Sequence, residues 1–365
     1  MGLKVSEIYL LDSKIPVKNQ EQWSKSKFSI AYRLEELAER SGFSSFIEEG
    51  DLVAIKVHFG DHGTTRALRS LYIRKMVEIV RSLGGEPFVT ETCGLGMIHD
   101  RNRATGRIKI ARENGYTYET LEAPIIIADG IKGFDYVEVD APEPLGKVDV
   151  ARAIYEADKV VALTHVTAHM GSGFGGAIKN IGVGCVAKPT KFDLHHCEKP
   201  EIIEDRCTLC RKCEKICTSG AIRAPEIDSE KCIKCDGCSE VCREHAIKVE
   251  WTDGRELSQR ITRAAGGVLN SKGKDKFFYF NFMLEVTPHC DCFSFSDSPM
   301  AEDAGILAGS DILAIDRASA DIINRGNDIF LSLYPEVDYR VQFETAEALC
   351  IGSSEYKIVK LENKV

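Results

Sequence analysis

The chain has 365 residues, 44% of them hydrophobic, and a net charge of −9. That is enough apolar material for one large domain or two, and the acidic balance excludes nucleic acid as a main partner. No stretch approaches the roughly 18 apolar residues of a membrane span, and the N-terminus M-G-L-K-V-S-E-I-Y-L-L-D has no apolar run followed by a cleavage site. The expectation is therefore a cytoplasmic protein without a membrane segment. Its fourteen cysteines then serve metal rather than bridges.

In chain order, Lys4 to Leu11 reads as a strand and 12–25 as a polar loop. Phe28 to Arg40 carries Ile30, Leu34 and Leu37 at helical spacing. D-L-V-A-I-K-V-H-F (51–59) is a buried strand by its β-branched run. Leu68 to Leu83 places Leu68, Leu71, Tyr72, Met76, Ile79, Val80 and Leu83 on one helical stripe, stopped by Gly84-Gly85. Pro87 to Thr90 is a short strand, Arg101 to Asn114 a helix, Ala123 to Ala128 a strand, Val148 to Glu156 a helix and Lys159 to Thr164 a strand. Further on, Arg255 to Leu269 reads as a helix, Phe277 to Val286 as a strand, Asp311 to Ile315 as a strand and Ala318 to Asn324 as a helix. Strands alternating with helices predict an α/β fold, a mostly parallel sheet with helices on both faces.

Between these halves lies a cysteine ladder. Cys207, Cys210, Cys213 and Cys217 follow C-x2-C-x2-C-x3-C, and Cys232, Cys235, Cys238 and Cys242 repeat it 25 residues later. Ile202 and Ile227, and Ala221-Ile222 and Ala246-Ile247, keep the same offset, which marks an internal repeat. This is the ligand spacing of bacterial two-cluster ferredoxins, in which the fourth cysteine of each run serves the other cluster. The expectation is two [4Fe-4S] clusters, one held by Cys207, Cys210, Cys213 and Cys242, the other by Cys232, Cys235, Cys238 and Cys217. Zinc prefers separate C-x2-C pairs, and disulfides need an oxidising compartment. The proline that usually follows the fourth cysteine is absent, since Thr218 and Arg243 stand there. The resulting division is an α/β domain in two parts, 1–199 and 251–365, interrupted by a small α+β two-cluster ferredoxin-like module at 200–250.

Three constellations lie outside the ladder. V-H-F-G-D-H-G-T-T-R carries His58 and His62, and T-H-V-T-A-H carries His165 and His169, each pair just past a buried strand. Ligands of open α/β sheets bind at such strand ends. A histidine there serves as acid, base or metal ligand, or simply caps the turn. The stretch Gly171 to Gly184 opens a short helix and includes Gly173, Gly175, Gly176 and Lys179, which suits cofactor or anion binding; a tight packing turn is the alternative. T-P-H-C-D-C offers Cys290 and Cys292 as ligands to a soft metal, or as small buried hydrophobes.

The runs V-A-I-K-V-H-F-G, A-D-G (128–130), H-V-T-A-H, G-F-G-G-A-I-K-N-I-G-V-G and N-F-M-L-E-V-T-P-H-C-D-C, with the two cysteine runs, resemble the domain-of-unknown-function 362 family, in its Fe–S center protein branch. The resemblance implies a family domain split by a ferredoxin-type insert and a site role for His58, His165, Lys179, Cys290 and Cys292. It implies no settled activity. A His followed by G-F-x-G-G and a Lys is also similar to a motif of nickel-pincer lactate racemases, where the His is an acid/base and the Lys tethers the cofactor. Here Gly175-Gly176 is separated from Lys179 by two residues rather than one.

The functional expectation is an iron–sulfur oxidoreductase. It relays electrons from a ferredoxin-like redox partner to a small molecule at a site formed by His58, His165, His169, Lys179 and the Cys290–Cys292 pair. The alternatives are a non-catalytic electron carrier or docking protein, and an isomerase or lyase with structural clusters. A further metal or a flavin would fit this scheme, although the sequence carries no fingerprint for either.

Overall fold

The computed structural model describes residues 5–14, 20–196 and 198–362. Lys4, part of the 12–25 loop and Cys197 therefore lie outside the described residues. Eight strands form the main sheet: β1 Ser6–Asp12, β2 Leu52–Lys56, β3 Glu86–Glu91, β4 Ile125–Ile127, β5 Lys159–His165, β6 Phe277–Met283, β7 Gly305–Gly309 and β8 Tyr356–Lys360. Their order is β8-β1-β7-β6-β5-β2-β3-β4, and only β7 runs against its neighbours. The sheet is thus mostly parallel, as the alternation of elements predicts.

The strands explain their own burial. Residues alternate across a pleated strand, so Val160 and Ala162 of β5 face one apolar core with Phe277 and Tyr279 of β6, while Val161 and Leu163 face another with Phe278, Phe280 and Phe282. With both faces covered, strands become continuous apolar runs; F-F-Y-F-N-F-M is buried throughout. One face is covered by helices that include α1, Ser70–Ser82. The other packs against α3 Ala177–Gly182, α5 Gly254–Lys272 and α6 Ile312–Ile323; α2 Ala104–Glu113 precedes α3 and α4 Lys188–His195 follows it.

Two expectations shift. Val148 to Glu156 is half strand: Lys147–Ala151 pairs with Tyr136–Asp140 in a hairpin, and only Arg152–Glu156 is helical. Asp311 to Ile315 is not a strand. Asp311 caps α6, its carboxylate accepting the Leu313 and Ala314 amides, so an alternating-looking D-I-L-A-I-D begins a helix. The strand beside it is β7, whose G-I-L-A-G is too short and glycine-bounded to announce itself.

Because β5 and β6 are adjacent and parallel, everything from 166 to 276 is one long crossover. The cysteine ladder is an excursion within it, between α4 and α5. In the ladder, Glu201–Ile202 pairs with Ile247–Lys248, and Ile222–Arg223 with Glu226–Ile227. Two short helices, Lys212–Ile216 and Gly237–Glu240, stand against one another, and Ile222, Cys238 and Ile247 form a small separate core. The repeat extends to the backbone. Leu209 and Arg211 have positive φ (54° and 55°), as do Lys234 and Asp236 (55° and 58°), each pair 25 residues apart. Non-glycine residues rarely adopt that conformation. Its recurrence at matched places shows that both cysteine runs wind the same turn. Among the described residues no helix is long and apolar enough to cross a membrane.

Candidate active-site crevice

Parallel strands point their carboxyl ends to one edge, and there β2, β3 and β5 deliver side chains into a crevice with room of about 160 Å³. It gathers His58, His165, His169, Lys179, Cys290 and Cys292, all expected from sequence, together with Lys56, Glu91, Arg101, Arg107, Lys191, His195 and Asp291. Five lysines and arginines stand against two carboxylates, in a chain whose net charge is −9.

Glu91, at the end of β3, organises one wall. Lys56 Nζ lies 3.0 Å from its Oε1 and Arg107 Nη2 2.9 Å from its Oε2, and all three side chains are buried. Burial alone would raise this carboxyl, but the Lys56 ammonium and the Arg107 guanidinium hold it well below the usual carboxylate range. Lys56 also donates to Asn180 Oδ1 at 2.9 Å, tying β2 to α3.

His58 and His169 share one device. The Gly60 amide donates to His58 Nδ1 at 2.9 Å. The Gly171 and Ser172 amides donate to His169 Nδ1 at 3.2 and 3.1 Å. A nitrogen that accepts an N–H carries no proton, so in each neutral ring the proton sits on Nε2. Both histidines therefore cap their turns, and both offer a donor on the other side of the ring. Burial pushes His58 down to about 3 and, with Lys179 and His195 nearby, His169 well below its ordinary value. Although the His58 side chain is 36% exposed, it lines the crevice, where desolvation still dominates. These are hydrogen-bond donors rather than bases.

His165 differs. Its Nδ1 lies 3.0 Å from Asp291 Oδ1 and its Nε2 3.0 Å from the Leu284 carbonyl. Two acceptors call for two protons. Burial opposes the charge, yet Asp291 and the carbonyls raise the pKa. With both ring nitrogens facing acceptors, it positions Asp291. His195, absent from the sequence expectation, faces its Nδ1 to the Lys191 carbonyl at 2.8 Å, which leaves Nε2 unprotonated. It is the crevice histidine whose tautomer suits a base or a metal ligand.

Lys179 makes no hydrogen bond or ion pair among the described residues, and burial lowers it to about 8. By contrast Lys191, also lowered to about 8 by burial, donates to Thr92 Oγ1 at 2.6 Å and to the Cys93 carbonyl. Lys179 should accordingly lose its proton near pH 8, against about 10.4 for an ordinary lysine. Competitive acylation followed by peptide mass mapping should show its labelling rise through pH 7–9, before the surface lysines; a rise only above pH 10 would contradict this placement.

The glycines divide. Gly175 and Gly176 border the crevice. Gly173 is left-handed (φ 70°) and a Cβ there would sit 2.8 Å from Tyr339 Cβ, so it is a packing turn. The N-terminus of α3 is closed to a ligand: Asp316, fully buried, accepts the Ala177 and Ile178 amides at 2.7 and 2.8 Å. A Cβ on Gly176 would meet its Oδ1 at 2.4 Å. Of the three glycines expected at a cofactor, Gly175 and Gly176 thus face the crevice while Gly173 packs against Tyr339. His62 lies outside the crevice, bridging Glu113 and Asp100 at 2.7 and 3.2 Å.

Cys290 and Cys292 are joined by a disulfide. While that bond stands, neither is the thiolate that a soft metal needs. Opened, the pair and His169 have ligand atoms within 4.8 Å of one another. The proton on His169 Nε2 argues against its joining them, because a ligating histidine normally donates its other N–H to an acceptor. Asp291, between the cysteines, is held by His165, and Arg101 donates to the Cys292 carbonyl.

The ladder abuts this crevice. Gly94 and Leu95 form part of its wall. Two residues on, the Met97 and Ile98 amides donate to Glu240 at 3.0 and 3.2 Å, and Met97 packs on Gly237. His196 Nδ1 contacts the Lys234 carbonyl at 2.6 Å, and Lys234 pairs with Asp193 at 2.8 Å. At the far end, a hollow is lined by Cys207, Cys210, Cys213 and Cys242. The Ala221 amide donates to Cys217 Sγ at 3.2 Å and the Ala246 amide to Cys242 Sγ at 3.3 Å, again 25 residues apart.

A parallel α/β sheet with a cationic crevice at its carboxyl edge defines the class. Residues 53–321 match the family described as Domain of unknown function (DUF362), and the chain belongs to that family. Two solved structures are similar. The lactate racemase apoprotein from Thermoanaerobacterium thermosaccharolyticum is 14% identical, with a TM-score of 0.33 over 68% of this chain and 48% of that one. A protein from Thermotoga maritima is 12% identical, with a TM-score of 0.36 over 69% and 49%. The chain spans about half the length of each, and at these scores neither carries an argument about this one. No curated protein matches the chain.

Proposed function

We propose that this protein is an iron–sulfur oxidoreductase whose cysteine ladder holds two [4Fe-4S] clusters and whose crevice holds an anionic small molecule. The observation that carries the reading is the shared wall. Leu95 lines the crevice and Met97 packs on the ladder, two residues apart in a chain that advances at most about 3.6 Å per residue.

The residues fit the clusters. Cys207, Cys210, Cys213 and Cys242 line one hollow, the crossed set that the spacing requires, and Cys217 and Cys242 each accept an amide, as thiolates do. Cys217, Cys232, Cys235 and Cys238 would hold the second. The clusters would each supply one electron at a time. Around the substrate, Lys179 offers an unpaired ammonium to a carboxylate or phosphate, while His58 and His169 donate from Nε2. Arg107 and Lys56, both paired with Glu91, shape the wall. A simple carrier, the competing reading, has no use for such a crevice. A ferredoxin-like protein is the natural donor.

The crossing of ligands gives a direct test. Cys242→Ser should empty the site built by 207–213, taking iron from about eight to about four per chain while the other cluster's spectrum remains. Unchanged iron would contradict the ligand assignment.

A further inference from the structure

We propose that the Cys290–Cys292 disulfide is redox-active, and that electrons arriving singly are paired there. The inference rests on the proposed function and adds the group in the crevice that accepts them.

The bond is unlike a structural staple. It closes a ring across a sequence separation of only 2. The shorter the loop a bridge closes, the less it restricts the unfolded chain, so this one does little for folding. The other eleven cysteines of the described residues are free, so bridging is not the habit of this chain.

Its place is equally specific. Both cysteines line the crevice together with Lys179 and the Gly94–Leu95 wall that the ladder abuts. The backbone around them is anchored independently of the sulfurs. His165 holds Asp291 at 3.0 Å, and Arg101 holds the Cys292 carbonyl. The S–S bond can therefore open and close without releasing the loop.

The step balances. Two electrons, originating in a low-potential one-electron donor protein, enter the S–S bond, which breaks. Two protons complete two thiols, one passed from the Lys179 ammonium, which regains it from solvent, and one taken directly from solvent. Run in reverse, two thiols lose two electrons and two protons and the bond reforms. The pair would thus stand between one-electron delivery and a two-electron change in the substrate.

The test uses the full chain, purified anaerobically and titrated with photoreduced deazaflavin. Wild type should take up about four electrons per chain, one for each cluster and two for the S–S bond. Maleimide should tag Cys290 and Cys292 only after reduction. The Cys290→Ser/Cys292→Ser variant should take up about two electrons, with unaltered cluster EPR signals. Cys238→Ser should slow opening of the bond by deazaflavin at least tenfold, while dithiothreitol still opens it. Reducible clusters with an uptake of about two electrons in wild type, thiols already tagged before reduction, or a stoichiometric non-iron metal on the pair would each overturn the inference while leaving the relay intact. Absence of reducible clusters would remove the relay itself.

Discussion

Replacing Glu91 by Ala is expected to cost about 3–5 kcal/mol of folding stability, read as a lowered urea midpoint. The carboxylate lies between Lys56 and Arg107, all three buried. Removing it leaves two cations without their counter-charge in a desolvated wall, which is far costlier than the net value of the pairing itself. The double variant Lys56→Met/Glu91→Leu should recover part of the loss, since apolar replacement of a buried pair is often neutral. A single-variant cost below about 1 kcal/mol would mean that solvent reaches this wall and that the crevice is less enclosed than described.

Asp316→Ala should have a comparable effect, about 3–5 kcal/mol, by a different route. Its carboxylate accepts from Ala177, Ile178 and Asn281 at 2.7, 2.8 and 2.7 Å. The variant strands three buried donors and loosens α3, which carries Lys179 and Asn180. Burial raises this carboxyl to about 6. The native state then holds the proton more tightly than the unfolded chain, so its contribution to stability is largest below about pH 4 and declines as pH rises to 6. Denaturant titrations at pH 4, 6 and 8 should show the wild-type slope between 4 and 6, and the variant should lack it.

What could be read from the sequence was what local spacing encodes. The ladder announces itself because each ligand must recur within a few residues, and its offset of 25 reappears in the φ angles of Leu209, Arg211, Lys234 and Asp236. The parallel sheet was legible because doubly covered strands are apolar throughout. His58 and His169 were legible as strand-end residues, but their protonation was not. That depends on which amide meets Nδ1, and only the folded turn decides it. Glu91, Arg107, Lys191 and His195 were missed because a charged residue at a strand end or on a helix looks solvated until tertiary structure buries it. The helix end after Gly176 was not legible either: a glycine before a short helix suggests an anion there, and the amides of Ala177 and Ile178 are taken by Asp316, from far along the chain. Asp311 was read as part of a strand because an N-cap followed by apolar residues mimics strand alternation over five positions.

Iron content tests the two clusters most directly. Anaerobically purified protein should contain about eight irons and eight acid-labile sulfides per chain, and reduction should give two interacting S = 1/2 EPR signals, the signature of two neighbouring [4Fe-4S] clusters. Stoichiometric zinc in place of iron, or no metal at all with the eight ladder cysteines freely alkylated, would contradict it.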